Sequence, residues 1–196
     1  MDWFNQLAYW TVGKVEFVCE LKRKLILLNP ASETLHGILR AAAQMLAPFD
    51  EATLSYQPAP GKWSPKQILG HLIDSAYNNH GRFLMAADQD HLRFPGYDQN
   101  AWVNRNGYQQ QDTREVVSTF LAVQSHLGHL LSNLPDDLLN RQTTEHAFAT
   151  TAMRPFEEGA PSCLGYFIED YLFHLVHHLK QIDPSFNEDW YIGYER

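Results

Sequence analysis

Cysteine is nearly absent: the chain has two, Cys19 and Cys163, far apart and in no CxxC pair. That argues against a disulfide framework and fits a reducing, cytoplasmic setting. Positive charge is scarce as well, with 15 Lys and Arg against 23 Asp and Glu and a formal net charge of −8. No basic stripe is available to displace counterions from a phosphate backbone, so nucleic acid is not an expected partner. Long apolar runs are missing too. Leu25-Ile26-Leu27-Leu28 follows Lys22, Arg23 and Lys24 and is closed by Pro30. It falls far short of the roughly 20 apolar residues that a membrane span needs. Asp2 and Trp3 at the start, with no small-residue cleavage site after the apolar stretch, also speak against a secretory signal. Repeats and low-complexity tracts are lacking. What remains is a 196-residue chain, 44% hydrophobic and 13% aromatic, which is ample for one soluble core. Small molecules or proteins are the expected partners.

Beyond Pro30 the apolar spacing predicts four amphipathic helices. The first covers about residues 32–47, with Leu35, Ile38, Leu39, Ala42 and Leu46 as its stripe, and Pro48 ends it. After the loop Pro58-Ala59-Pro60-Gly61, the run Ser64-Pro65-Lys66-Gln67 reads as a capping box with proline at the first helical position. The second helix therefore starts at Pro65 and extends to about residue 87. The third opens at Asp112-Thr113-Arg114-Glu115 and carries Val116, Phe120, Val123, Leu127, Leu130 and Leu134 at alternating four- and three-residue spacing. The fourth is capped by Ser162 and continues to Ile182, with Leu164, Ile168, Tyr171, Leu172, Leu175, Leu179 and Ile182 facing inward. With no convincing strand pair, the expected fold is all-α, a four-helix bundle over residues 31–196. Two long connections, residues 88–111 and 136–161, are either functional or packed surface loops. Residues 1–30 form an N-terminal extension in which Val15, Val18, Leu21, Leu25 and Leu28 fit a helix, while residues 15–21 fit a strand equally well.

Ten histidines are present, and three of them fall in Asp170-Tyr171-Leu172-Phe173-His174-Leu175-Val176-His177-His178-Leu179. His174 and His178 are four apart, so they share one helical face a turn apart, the geometry two imidazoles need to reach a single cation. His177 points about 100° away from His178 and reads as a surface or supporting residue. A third ligand must come from elsewhere, and His71 in Leu69-Gly70-His71-Leu72-Ile73-Asp74-Ser75 is the best placed. It lies less than two turns from the start of the second helix, whereas the pair lies in the C-terminal half of the fourth. Antiparallel packing of these helices brings both to one end of the bundle. Three neutral imidazoles suit zinc or nickel, with iron or manganese as alternatives, and leave positions for water or substrate. Against this stand a solvated helix edge for the pair and a satisfied polar residue for His71. His126 and His129, three apart, each precede a core leucine and read as a chance pair.

The segment Trp63-Ser64-Pro65-Lys66-Gln67-Ile68-Leu69-Gly70-His71-Leu72-Ile73-Asp74, joined with Phe173-His174 and Val176-His177-His178-Leu179-Lys180-Gln181-Ile182, resembles the DinB-like family of metal-binding four-helix bundles. The likeness covers about residues 32–184. Pro58-Ala59-Pro60-Gly61-Lys62 and Pro95-Gly96-Tyr97-Asp98 are similar to one branch of it. The resemblance implies a divalent metal held by His71, His174 and His178, the same three that the spacing selects. It also implies crossover connections and dimerisation through helical faces. The activities it implies are transfer of a low-molecular-weight thiol to an electrophile, thiol-dependent isomerisation, or metal-dependent hydrolysis. The first thirty residues depart from the family pattern.

A divalent ion lowers the pKa of a bound water or thiol, and the thiolate is the stronger nucleophile. The expected function is therefore a metal-dependent enzyme of thiol-transferase type. The alternatives are a metal-dependent hydrolase and a non-catalytic, stress-associated metal-binding dimer. A pocket above an open three-histidine site distinguishes the enzymes from the last, which would show a fourth protein ligand. Asp74, one turn past His71, is a candidate to orient that imidazole or act on substrate, against a plain surface carboxylate. Arg82, three turns from His71, is a candidate to bind an anionic group. Cys163, at the first helical position after Ser162, is a candidate for a thiol with depressed pKa, against a small apolar residue remote from the metal. Because ligating imidazoles must be neutral, metal affinity is expected to fall as pH drops through roughly 6.5.

Overall fold

The computed structural model describes residues 31–187. The helix-or-strand alternatives in residues 15–28, and the N-terminal extension as a whole, lie outside the described residues. The helices are α1 (Ala31–Leu46), α2 (Glu51–Ser55), α3 (Pro65–Asp88), α4 (Gln99–Asn106), α5 (Thr113–Ser132), α6 (Asp136–Asn140), α7 (Phe148–Thr151) and α8 (Leu164–Ile182). Four of these, α1, α3, α5 and α8, are the predicted bundle helices. No described helix is long and apolar enough to cross a membrane.

Local chemistry sets the helix starts. Ser64 accepts from the Gln67 N–H, and the Gln67 side chain returns a bond to the Ser64 N–H, so the predicted capping box is complete, with Pro65 at the first position. Asp112 caps α5 through the Arg114 and Glu115 N–H groups. The start of α8 differs from expectation. Its cap position is Cys163, not Ser162, and the cap makes no side-chain bond. Ser162 is instead drawn into a bridge with Thr143, exchanging N–H···O bonds of 3.0 and 2.8 Å.

Directions around the bundle follow from side-chain pairs. Helices α1 and α3 each pack on both α5 and α8, so α1 and α3 form one diagonal and α5 and α8 the other. At the start of α1, Ser32 Oγ donates to Gly128 O near the end of α5 at 2.8 Å, which makes those helices antiparallel. Phe83 near the end of α3 meets Phe167 near the start of α8, again antiparallel. Helices α3 and α5 run the same way. Lys66 reaches Gln111 O, Gln124 Nε2 reaches Leu72 O, and His80 stacks on His126, three pairs that advance together along both chains. The order is thus up, down, down, up. A chain that leaves the end of α3 must return the length of the bundle before α5 can begin.

That return is the connection after α3, which is ordered rather than an open loop. It contains α4 and a 3-10 turn at Tyr108–Gln110. It retraces α3 in reverse, touching Arg82 through Pro95, Asp74 through Asn106 and Tyr108, and Lys66 through Gln111. The second connection holds α6 and α7 and is tied to the first by a bridge between Leu92 and His146.

The core face of α5 is rotated from the predicted stripe. Val116, Phe120, Gln124, Leu127 and Leu131 are buried, while Val123, Leu130 and Leu134 are only partly so. Gln124 is fully buried because both ends of its amide are engaged: Nε2 on Leu72 O at 3.2 Å, and Oε1 accepting from Tyr171 Oη at 2.6 Å.

A second polar residue in the interior, Asp74, overturns its reading as a surface carboxylate. Asp74 is 3% exposed, and among the described residues it makes no hydrogen bond to His71, whose Nδ1 is unpartnered and whose Nε2 faces His174. Oδ1 accepts from Tyr108 Oη at 2.7 Å and Asn106 Nδ2 at 2.8 Å, which clips the returning connection to α3. Burial raises its pKa, against the lowering by the Tyr108 and Asn106 donors. Asp74→Ala leaves the buried Tyr108 hydroxyl without an acceptor, while the exposed Asn106 amide can turn to water, and is expected to cost about 1–3 kcal/mol in chemical denaturation. Asp74→Asn keeps the acceptor and is expected to cost less; equal losses for the two would show that the hydrogen bonds contribute nothing.

Candidate metal centre

His71 sits on the second turn of α3, and His174 and His178 sit on successive turns of α8. Antiparallel packing of these helices brings all three to one end of the bundle, as the spacing predicts. Their nearest nitrogens lie within 4.8 Å of one another. His71 Nε2 and His174 Nε2 are 3.0 Å apart. Two imidazoles sharing one cation at zinc-like distances have their nitrogens roughly 3.0–3.4 Å apart, so this pair already has the necessary separation. The rings meet edge to face, with centroids 4.5–5.1 Å apart. Among the described residues no fourth His, Cys, Asp or Glu joins the group.

The environment keeps all three imidazoles neutral. Burial pushes His71 down to about 3, with the neighbouring His178 adding to the effect. His174 is driven well below the ordinary imidazole value by burial first and then by His178, His71 and His177. His178 is lowered by burial, opposed by its bond to Gln181. Neutral imidazole is the form that ligates a metal.

The surrounding contacts orient the rings. His178 Nδ1 pairs with Gln181 Oε1 at 2.9 Å, which requires the proton on Nδ1 and leaves Nε2 as the lone-pair nitrogen. The same amide donates through Nε2 to His177 Nε2 at 2.9 Å. His177 is exposed and outside the cluster, in the supporting position expected from its angle on the helix. Gln181 lies in the same motif, and its three- and four-residue spacing from His178 and His177 is the signal that places it there. Trp63 packs at 5.0 Å on His71, and Tyr171 lies parallel to His174 at 6.5 Å. Among the described residues, His71 Nδ1 and His174 Nδ1 have no hydrogen-bond partner. In this respect they differ from typical metal-bound histidines, whose outer nitrogen is engaged.

A cavity of about 310 Å³ opens beside the cluster between α3 and α8, lined by His71, Ser75, Arg82, Tyr97, Tyr171 and His174 among others. Gly96, Tyr97 and Gln99 of the first long connection and residues 150–153 of the second roof it. Both connections are therefore part of the site. A second hollow of about 390 Å³, lined by Asp74, Tyr77, Trp102 and Arg105 among others, contains none of the three histidines. Asp170, an acid on the cavity wall, is fully engaged. Its carboxylate accepts from the Met153 and Arg154 N–H groups and from Arg154 Nε at 2.8–3.1 Å.

The remaining sequence candidates lie elsewhere. His126 and His129 are exposed on α5, with His126 stacked on His80 at 5.0 Å. Cys163 lies eleven residues before His174 on α8, roughly 16 Å along the helix. Burial raises its thiol pKa, outweighing the nearby backbone N–H groups, so the expected depression is not found.

No curated protein matches the chain. Among solved structures it is similar to YfiT from Bacillus subtilis, described as a probable metal-dependent hydrolase with an unusual four-helix bundle topology. The two share 19% sequence identity, with a TM-score of 0.62 over 84% of this chain and 85% of that one. This likeness establishes the bundle. The family model of the DinB superfamily matches residues 34–182, which contain all three histidines and every bundle helix except the first residues of α1, and the chain belongs to that superfamily.

Proposed function

We propose that this protein is a metal-dependent enzyme acting on a small molecule, with one divalent transition metal held by His71, His174 and His178. The observation that carries this reading is the convergence of three neutral imidazoles at one end of a cavity, with no fourth ligand among the described residues to close the site. A divalent ion held there would lower the pKa of a bound water or thiol toward neutrality. The chain's own residues do the rest. Trp63 covers one face of His71 and keeps water from it, Gln181 sets the tautomer of His178, and Ser75 and Tyr97, their hydroxyls paired with each other, form part of the cavity wall.

The reaction we favour is transfer of a low-molecular-weight thiol to an electrophile. Asp170 on the cavity wall is tied to Arg154 and the backbone and is not free to act as a general base toward water. A thiol is acidic enough to need less help. Hydrolysis is the second reading, favoured by the description of YfiT. Metal-loaded, chelator-treated and His71→Ala proteins, assayed with glutathione-, bacillithiol- and mycothiol-type donors and a small electrophile, separate the two. Thiol-dependent turnover in the metal-loaded protein alone is the expected result. Ester or amide cleavage that needs metal but no thiol would replace it with the hydrolase, and no turnover in any assay would leave a non-catalytic metal-binding protein.

A further inference from the structure

Helix α3 presents His71, Ser75, Asn79 and Arg82 at intervals of four, four and three residues, which sets them in one row along one face. All four are buried and all four line the cavity. The cavity is thus a cleft with the histidine cluster at one end and Arg82 at the other, roughly 16 Å further along the helix axis. Arg82 is 6% exposed. Its Nη2 donates to Pro95 O at 2.7 Å and its Nη1 reaches Asn79 Oδ1 at 3.4 Å, but Nε has no partner among the described residues. Among the described residues no carboxylate lies within 4.0 Å of the guanidinium. The rings of Phe94 and Phe167, at 6.0 and 5.8 Å, face the charge and offset part of its desolvation. They give the Nε–H no acceptor.

A buried guanidinium that has an unfilled donor and no counter-ion among the described residues, on the wall of a cleft, is suited to an oxyanion. Its planar fork matches the two oxygens of a carboxylate or phosphate, and the low-polarity walls strengthen the pairing. We propose that Arg82 is the anion-binding residue of this site, and that the substrate is an elongated small molecule carrying a carboxylate or phosphate at the end remote from the histidines. The identification of that anion as part of a substrate rests on the catalytic reading given above. A purely structural role, clamping Pro95 against α3, would move stability and leave anion binding untouched.

The test uses chelator-treated full-length protein, so that the histidine cluster offers an anion no metal. It is titrated calorimetrically at low ionic strength with inorganic phosphate, succinate and the neutral succinamide. Phosphate or succinate should bind and succinamide should not; Arg82→Gln should weaken the anion at least about tenfold while still taking up metal at the histidines. Whichever of phosphate and succinate binds more tightly identifies the class of oxyanion. Absence of binding by both anions, or equal binding to native and Arg82→Gln proteins, overturns the proposal. If the variant does not fold, the Arg82 Nε–H resonance of the native protein decides: a shift on adding anion supports the site and an unmoved signal refutes it. Anion binding without turnover in the thiol and hydrolysis assays would sink the catalytic reading alone. Turnover unaffected by Arg82→Gln and by added anions would sink the subsite alone.

Discussion

Purified native protein should carry about one equivalent of a transition metal, and the His174→Ala, His178→Ala double variant should carry none. Elemental analysis of untagged protein measures both, and full metal retention by the double variant would remove the three-histidine assignment. His71→Ala should also lose the ion, because two imidazoles from one helix leave the site too poor in ligands. Gln181→Ala should lower affinity by about 10–100-fold, since it frees the ring that Gln181 now holds in one tautomer. His177→Ala should have less effect. The pH dependence differs from the one read from sequence. In the folded chain burial lowers the pKa of all three imidazoles, that of His71 down to about 3, so protons compete with metal only below the ordinary imidazole value near 6.5. What changes at 6.5 is stability. Below that pH the unfolded chain binds protons that the folded chain refuses, so metal-free protein should lose stability as pH falls, by about 2 kcal/mol for His71 alone at pH 5. Denaturation of metal-free protein at pH 7.5 and 5 checks this, and equal stability at the two values would contradict burial of neutral histidine.

Gly70→Ala and Gly81→Ala should act in opposite directions, although both lie within α3. Alanine is better than glycine in a helix interior by about 1 kcal/mol. At Gly81 an added Cβ meets nothing within 4 Å, and the substitution should stabilise by about that amount. At Gly70 the added Cβ would lie 2.1 Å from Tyr108 Cδ2. Tyr108 is itself buried and bonded to Asp74, so the ring cannot move without releasing a buried carboxyl. Overpacking and loss of that bond together should exceed the propensity gain and leave Gly70→Ala about 2–4 kcal/mol less stable. For a domain of this size that lowers Tm by roughly 5–15 °C in a thermal scan. A Gly70→Ala protein as stable as Gly81→Ala would mean that the returning connection is not packed on α3 at this point.

Where the chemistry was local, the residues could be read directly. The capping box at Ser64 and Gln67, the cap at Asp112 and the one-turn separation of His174 and His178 each depend on positions within four residues of one another. A helix fixes those relations wherever it is packed. Reading failed where two good candidates competed for one place. Ser162 is the better cap by type, but Thr143 captures its backbone in a bridge, and the helix begins one residue later. It failed again where a polar side chain turned inward. Gln124 breaks the apolar period of α5, and Asp74 looks like a surface carboxylate, because their partners Tyr171 and Tyr108 lie 47 and 34 residues away.

The sequence by itself determined which faces of four helices are apolar, where two of those helices begin, and which histidines on one helix can act together. All of these follow from a period of 3.6 residues and from the valences of side chains near a helix end. Hydrophobic periodicity shows that a face is buried but not what buries it. Only the tertiary structure decided that α3 and α5 run parallel, and so that the connection between them must return along α3 and roof the cavity. The pairing of Asp74 with Tyr108 and the placement of Arg82 in the same cleft as His71 were settled at that level too. A buried polar group is tolerated only where distant residues supply its partners, and the folded chain alone brings those partners into reach.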